Sequence, residues 1–383
     1  MPYKTFGFTD DQVLMRDSVL RLLEKEFSSD AINDHEKRSA YPEHAHGALA
    51  QAGWFALPFE REYGGMDCSH KDLTVLLEAI SYHHKGLSTA YLGPTIYGGT
   101  ALRHAGSEEH KRTYIPEIIA GRLKIAICYT EPSSGSDAAG IRTRAVCDGN
   151  DYVITGQKVF ITNAHVADLL VVSVKTTPDA GRRGLSMFLV DARSPGIEVR
   201  NLDPLGSRTT LINEVFFDDV RVPARNLLGE KDGGWKLLMR GLNMERLVLA
   251  ASSGGQALKV IEIAKAFAKE RKAFGKALTE NQVIAHRLAE MQMLTESARA
   301  MTFHTADMLD SGIDAPMETA IAKTVAAENA WKVADLGMSI FAGSGYVASD
   351  MQRIFRDTRL GPIGGGTSDI LRNVIAKEMG VYR

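Results

Sequence analysis

From Thr9 to about Gly121, apolar residues recur at the three- and four-residue spacing of amphipathic helices, as Val13, Leu14, Val19, Leu20, Leu22 and Leu23 show. Thr9 and Gln12 stand at the spacing of a capping box, in which each side chain satisfies the other's backbone N–H, so the first helix is predicted to begin there. Between Leu123 and about Leu228 the pattern changes to short β-branched runs broken by Gly, Asp and Asn. Among them are Tyr152-Val153-Ile154, Val159-Phe160-Ile161-Thr162, Leu169 to Val174 and Glu214-Val215-Phe216-Phe217. That block predicts an antiparallel sheet. After Gly233-Gly234 helical spacing returns, with long segments over 235–270, 280–312 and 315–342. Long helices with short connections pack as a bundle, and leftover apolar faces are buried against other subunits. The predicted class is α+β, with a helical domain over 1–121, a middle β domain over 122–230 and a C-terminal four-helix bundle over 231–383.

Composition narrows the function. A chain of 383 residues, 44% hydrophobic and 24% charged, is long enough for two or three modules with a sizeable core. Its 45 Lys and Arg balance 47 Asp and Glu, so no net field draws it to nucleic acid or to an acidic membrane. Cys68, Cys128 and Cys147 are too few and too scattered for a disulfide framework or a zinc site, which points to a reducing, cytoplasmic setting. Met1 to Thr9 lacks the basic region and apolar run of an export signal, and no run of about 20 apolar residues predicts a membrane span. No metal-spaced His cluster and no Gly-x-Gly-x-x-Gly fingerprint after a strand is found, so neither metal catalysis nor a Rossmann mode of nucleotide binding is expected.

The chemistry concentrates in a few segments. Cys128-Tyr129-Thr130-Glu131-Pro132-Ser133-Ser134-Gly135-Ser136-Asp137-Ala138-Ala139-Gly140 is rich in residues that leave backbone N–H groups and hydroxyls free to wrap a polar cofactor. Read alone, it is equally a Ser/Gly turn between strands. About thirty residues on, Lys158-Val159-Phe160-Ile161-Thr162-Asn163 places an aromatic and a hydroxyl in one strand, which read alone is equally a strand with a core aromatic. Together the two segments resemble the flavin-binding signatures of the acyl-CoA dehydrogenase family. The resemblance implies FAD held by Ile127, Tyr129, Thr130, Gly135 and Ser136, with the Phe160 ring against the isoalloxazine and the Thr162 hydroxyl at its N5. Two residues depart from the pattern: the family more often has tryptophan at Phe160 and an aliphatic residue at Tyr129.

The resemblance continues to the end of the chain. Glu270-Arg271-Lys272-Ala273-Phe274-Gly275-Lys276, followed by Asn281-Gln282, is similar to an element that reaches into a neighbouring subunit. It implies Arg271 on the pyrophosphate, Phe274 near the adenine, Gln282 beside them, and a homotetramer built as a dimer of dimers. Arginine suits that task through its fixed donor fork, although a solvated basic turn has the same composition. Ser339-Ile340-Phe341-Ala342-Gly343-Ser344-Gly345-Tyr346 matches a further cofactor segment, in which glutamine normally stands at Ser339 and glycine at Ala342. Ile363-Gly364-Gly365-Gly366-Thr367-Ser368-Asp369-Ile370 resembles the loop over flavin and thioester, implying cofactor contacts from Thr367 and Asp369.

Many relatives carry their catalytic base where Gly365 stands. Isovaleryl-CoA and long-chain acyl-CoA dehydrogenases place it on a preceding helix, in a segment like Leu242-Asn243-Met244-Glu245-Arg246-Leu247-Val248-Leu249-Ala250, and Glu245 matches it. A glutamate in so apolar a stretch rarely enters a core unpaired, so the alternative is an ion pair or a solvent-facing position. Ser136, Asn243, Arg246, Gly364 and Gly365 are the implied contacts to acyl-CoA. The implied reaction is α,β-dehydrogenation of a saturated acyl-CoA, with an electron-transferring flavoprotein as acceptor. An oxidase or monooxygenase on the same scaffold, or a silent flavin-binding protein, are the alternatives. Gly93-Pro94-Thr95-Ile96-Tyr97-Gly98-Gly99 falls where the family forms its acyl-pocket floor, and its glycines predict a deeper floor suited to medium-to-long or branched chains.

Overall fold

The computed structural model describes residues 7–381, so the first six residues of the stretch read for an export signal lie outside it. Seven helices come first: α1 (Asp10–Glu26), α2 (Ser29–Arg38), α3 (Glu43–Gln51), α4 (His70–His83), α5 (Lys85–Leu92), α6 (Gly99–Ala105) and α7 (Glu108–Ile119). Thr9 and Gln12 cap α1 reciprocally, with N–H to side-chain distances of 3.1 and 3.2 Å.

Seven strands follow: β1 (Ile125–Cys128), β2 (Arg144–Asp148), β3 (Asp151–Thr162), β4 (Leu169–Lys175), β5 (Leu185–Asp191), β6 (Ile197–Asn201) and β7 (Ile212–Pro223). They form one sheet in the order β1-β4-β2-β3-β7-β6, with β5 also on β4. The expected antiparallel pairing holds for β2·β3, β3·β7, β4·β5 and β6·β7, but β1 lies parallel to β4, and β2 meets β4 in parallel at Arg144 and Lys175. A parallel pair cannot be closed by a hairpin. The chain leaves β1 through the Ser/Gly-rich segment and reaches β4 only after building β2 and β3, which supplies the crossover.

The last third is helical: α8 (Gly234–Glu270), a two-residue ribbon of β8 (Lys272–Ala273) and β9 (Lys276–Ala277), α9 (Gln282–Asp310), α10 (Pro316–Phe341), α11 (Gly343–Tyr346), α12 (Asp350–Thr358) and α13 (Ser368–Glu378). The long members α8, α9 and α10 pack on one another, while α12 and α13 lie along α10 and complete the bundle. Val248, Ala251 and Leu258 of α8 belong to the same core as Leu76, Leu77 and Ile80 of α4, so the two helical regions share an interior. The buried ion pair of Glu78 with Arg299, 2.7 Å, ties α4 to α9. Among the described helices α8 alone is long and apolar enough to cross a membrane, but 72% of that apolar stretch is buried inside the protein.

α5 continues into α6 through a wide helical turn over Gly93–Gly98, in which Pro94 is accommodated near the start. The expectation that its glycines hollow out a deeper floor is corrected here. A Cβ on Gly98 would stand 2.5 Å from Cγ2 of Ile125, one on Gly99 2.9 Å from Cζ of Phe59, and one on Gly93 2.9 Å from the carbonyl oxygen of Ile125. The missing side chains are taken up by β1 and Phe59, and they let the helix lie directly against the sheet.

Ten non-glycine residues among those described have positive φ, and seven are Asp, Asn or Ser. The apolar three are Phe160 (φ 59°), Phe274 (φ 54°) and Ala342 (φ 49°), with ψ −133° at Ala342, a conformation open to glycine and costly to alanine. Each falls in a segment singled out from the sequence as a cofactor contact.

Two stability outcomes are expected from urea and thermal unfolding. Ala342→Gly removes backbone strain and stabilises the fold by about 1–3 kcal/mol. Gly98→Ala drives a methyl into Ile125 and destabilises it by about 1–3 kcal/mol. A loss of stability in the first variant, or none in the second, contradicts these assignments.

Candidate active site

The Ser/Gly-rich segment takes its shape from a buried ion pair. Lys158, 0% exposed on β3, donates to Glu131 at 2.8 Å, to the Tyr129 carbonyl at 3.2 Å and to the Ser173 hydroxyl at 3.3 Å. The Glu131 carboxylate also accepts the backbone N–H groups of Arg142 (2.6 Å) and Thr143 (2.9 Å). Burial works against the Glu131 anion, but the Lys158 charge and these donors outweigh it and hold the carboxyl below its ordinary value. The segment from Tyr129 to Thr143 is therefore pinned at both ends, and the Val159 N–H donates to the Thr130 carbonyl at 2.9 Å, locking it against β3.

The same lysine sets the orientation of Phe160. Regular alternation would put 158 and 160 on one face of β3, but the register is irregular between Lys158 and Ile161. Lys158 and Val159 are both buried, and Phe160 turns outward, 62% exposed. Thr162 ends the strand opposite Ile212. Ser136 is exposed in the pinned loop, while Tyr129, Thr130, Ser134 and Gly135 line a small, partly open cavity with Ser173, Met187 and Leu238.

A second small, partly open cavity shares Tyr129 and Leu238 with the first and is also lined by Ile96, Tyr97, Thr100, Ile127 and Glu245. Leu237, Leu238, Gly241, Leu242 and Glu245 reach it from one face of α8, as their three- and four-residue spacing requires. The Glu245 carboxyl keeps some accessible surface because it faces this cavity, yet protein encloses it. Burial pushes its pKa up to about 7, against the opposing charges of Arg246 and Lys323. Burial, and then the Glu245 charge, raise the phenols of Tyr97 and Tyr129.

Gly365, at φ 65°, packs against this carboxylate. A Cβ there would lie 3.5 Å from Oε1 of Glu245 and 2.3 Å from Cδ1 of Leu249. Gly364 is its neighbour in the loop. Arg246 is 8% exposed, and its Nε has no hydrogen-bond partner among the described residues; neither it nor Asn243 lines the two cavities. Thr367 uses its hydroxyl to cap α13, Asp369 pairs with Arg372 at 3.2 Å, and neither residue lines these two cavities.

The remaining expected cofactor residues lie elsewhere. Arg271 follows Glu245 by 26 residues on and just beyond α8, roughly 39 Å along the axis at about 1.5 Å per residue. Phe274 is 98% exposed at the tip of the β8–β9 ribbon, and Gln282 begins α9. Phe267 stacks on Phe341 with centroids 4.3 Å apart, which brings Ser339, Ala342 and exposed Gly343 to this same end. The candidate contacts thus divide into a group around Phe160 and Glu245 and a remote, exposed group.

Residues missing from the sequence reading include Thr100, Leu238 and Lys323, whereas Tyr97 stood in the segment read as the acyl-pocket floor. Lys323 carried a usable signal, being a single charge within the small-residue run Ala320-Ile321-Ala322-Lys323-Thr324-Val325-Ala326. Glu131 and Lys158 stood inside the quoted motifs without a role.

The outward, exposed Phe160 ring offers its face to a planar ring system, and the exposed Arg271 offers a donor fork of the kind that matches phosphate oxygens. Family models describing the N-terminal, middle and C-terminal domains of acyl-CoA dehydrogenase match residues 9–122, 126–220 and 232–380. An acyl-CoA dehydrogenase of Bacillus subtilis is 34% identical over 376 residues, spanning 97% of this chain and 98% of that protein. Subunit CarC of the caffeyl-CoA reductase-Etf complex of Acetobacterium woodii is 32% identical over 372 residues, 96% of this chain and 98% of that protein. The crystal structure of an acyl-CoA dehydrogenase from Geobacillus kaustophilus superposes with a TM-score of 0.94 at 33% identity, covering 98% of this chain and all (100%) of that one. The chain belongs to the acyl-CoA dehydrogenase family and is an FAD-dependent oxidoreductase.

Proposed function

We propose that the protein converts a saturated acyl-CoA to the trans-2-enoyl-CoA, with Glu245 removing the α proton. The observation that carries this is a carboxylate of raised proton affinity lining a cavity that shares Tyr129 and Leu238 with the flavin-side cavity. Bound FAD supplies the acceptor, at N5, for the hydride leaving the β carbon. The chain's part is to orient and to exclude water. Glu245 near pH 7 is ionised in a large fraction of molecules, yet basic enough to take a proton from carbon. Ile127, Tyr129, Thr130, Gly135, Ser136, Phe160 and Thr162 serve the flavin end, with Thr367 and Asp369 on the closing loop. Ser136, Asn243, Arg246, Gly364 and Gly365 serve the acyl-CoA.

In this reading Arg271, Phe274, Gln282, Ser339 and Gly343 hold the FAD of a neighbouring subunit in a homotetramer. Their distance from Glu245 along α8 supports the assignment, because one chain does not bring both groups together. The division into domains at 121/122 and 230/231 is part of the proposal. Three unpaired cysteines support a reducing, cytoplasmic setting. Electrons pass to an electron-transferring flavoprotein, a reading supported by the CarC relative's membership of an Etf complex; turnover with oxygen in preference to an artificial dye marks an oxidase instead. Branched or medium-to-long acyl groups are the proposed substrates, on the placement of the base away from the terminal loop.

Anaerobic bleaching of the flavin by a panel of acyl-CoA thioesters tests the reaction, and no bleaching by any of them rejects it. Glu245→Gln is expected to keep its yellow colour and to bind acyl-CoA while bleaching at least about 10²- to 10⁴-fold more slowly. In the wild type the bleaching rate should fall as pH drops through about 7, where Glu245 takes up a proton. Near-normal turnover of Glu245→Gln removes the base assignment.

Arg271→Ala is expected to lose FAD on gel filtration, read as a raised ratio of protein to flavin absorbance. A stable, fully flavinated monomer of the wild type would defeat the cross-subunit role.

A further inference from the structure

Lys323 lies on α10, 1% exposed, and forms no salt bridge with a carboxylate among the described residues. Its Nζ donates to the carbonyl of Gly361 at 2.8 Å and to the carbonyl of Gly366 at 2.7 Å. Those carbonyls stand at the two ends of the segment between α12 and α13, so one ammonium closes the loop on itself. Between them lies Gly365, where a Cβ would stand 3.5 Å from Oε1 of Glu245 and 2.3 Å from Cδ1 of Leu249, so the bare glycine backbone faces the base. The loop contains four glycines, at 361, 364, 365 and 366, and Gly365 and Gly366 sit at φ 65° and 86°. Such a chain has little stiffness of its own, since glycine loses the most conformational freedom on ordering. Its position against the base therefore depends on what holds its ends.

We propose that Lys323 is a positioning residue for the base: by bridging Gly361 and Gly366 it presses Gly365 against Glu245 and fixes the direction of the carboxylate toward the α carbon. The inference rests on the proposed role of Glu245 and concerns how that role is made precise. Lys323 touches neither cavity, so it acts through the loop and through its charge. The groups facing Glu245 are Arg246 on α8, Lys323 on α10, Tyr97 on the wide turn after α5 and Tyr129 after β1; Lys323 also feels Glu328. Burial lowers the Lys323 ammonium to about 8, so it is still charged at pH 7 and favours the Glu245 anion. Neutralising it leaves Arg246 as the remaining cation facing the base.

The test measures anaerobic flavin bleaching against pH, below pH 8, in FAD-loaded wild type, Lys323→Met and Lys323→Arg. In Lys323→Met the limiting rate is expected to fall about 10- to 100-fold, as for a base misplaced by about an ångström, with acyl-CoA affinity within a few-fold of wild type. The acidic midpoint is expected to move upward from about 7 by roughly half a unit or more, because the lost cation stabilised the anion. Lys323→Arg, which keeps the charge, should return the midpoint toward the wild-type value. A merely structural lysine would slow bleaching and leave the midpoint in place, and that result overturns the proposal, as does a wild-type rate in Lys323→Met. If Lys323→Met does not retain FAD, Lys323→Gln replaces it, and an unmoved midpoint there is equally decisive. Activity in Glu245→Gln would instead reject the base itself, so the two failures are distinguishable.

Discussion

The ion pair between Lys158 and Glu131 is the constraint on which the flavin side of the site depends. Both groups are almost completely buried, and their mutual attraction mainly offsets the cost of removing two charges from water. Deleting either partner would leave the other uncompensated, at a cost of about 3–5 kcal/mol. Its value is geometric. A lysine that must reach inward from β3 forces the next residue inward as well, and the break in alternation turns Phe160 out at positive φ. The glutamate meanwhile gathers the N–H groups of Arg142 and Thr143, so the intervening loop stays folded back on the strand. One electrostatic contact thus places both segments proposed to hold the flavin.

α8 performs the corresponding task for the rest of the molecule. Its first turns carry Glu245 to the cavity beside β1, its middle completes the core of the N-terminal helices, and its end projects Arg271 and the β8–β9 ribbon away from its own site. Because the helix is rigid over roughly 55 Å, the two functional ends cannot serve one flavin in one chain. The exposed Phe274 and strained Ala342 at the far end then read as surfaces shaped for a neighbour, since backbone strain persists where surrounding contacts demand it.

Much of this was legible in the residues. Periodicity marked the helix–sheet–helix order to within a few residues, because long amphipathic helices repeat their signal many times over. The Thr9–Gln12 cap was legible because the interaction is local. What escaped was non-local. The parallel pairing of β1 with β4 depends on where the chain returns after a loop, which alternation within a strand does not encode. The glycines at 93, 98 and 99 were visible as missing volume, but only the position of Ile125 and Phe59 shows that the volume is filled by neighbours. The charge of Lys323 stood out in its small-residue run, but its role did not, since its partners are backbone carbonyls 38 and 43 positions away.

The relation between Glu245 and Gly365 was the most informative inference from motifs, and the packing gives it a physical form. Position 365 has φ 65°, which glycine adopts freely and a glutamate does not. Even a methyl group there would collide with Leu249, and it would stand beside the carboxylate that α8 already delivers. A second acid on the loop would have to displace Leu249, strain the backbone and share its space with a like charge, which would raise the proton affinity of one carboxyl further. In this packing a side chain at 365 therefore meets Leu249 sterically and the Glu245 carboxylate electrostatically. Moving the base to the helix commits the loop to glycine, and a glycine loop in turn needs an anchor outside itself.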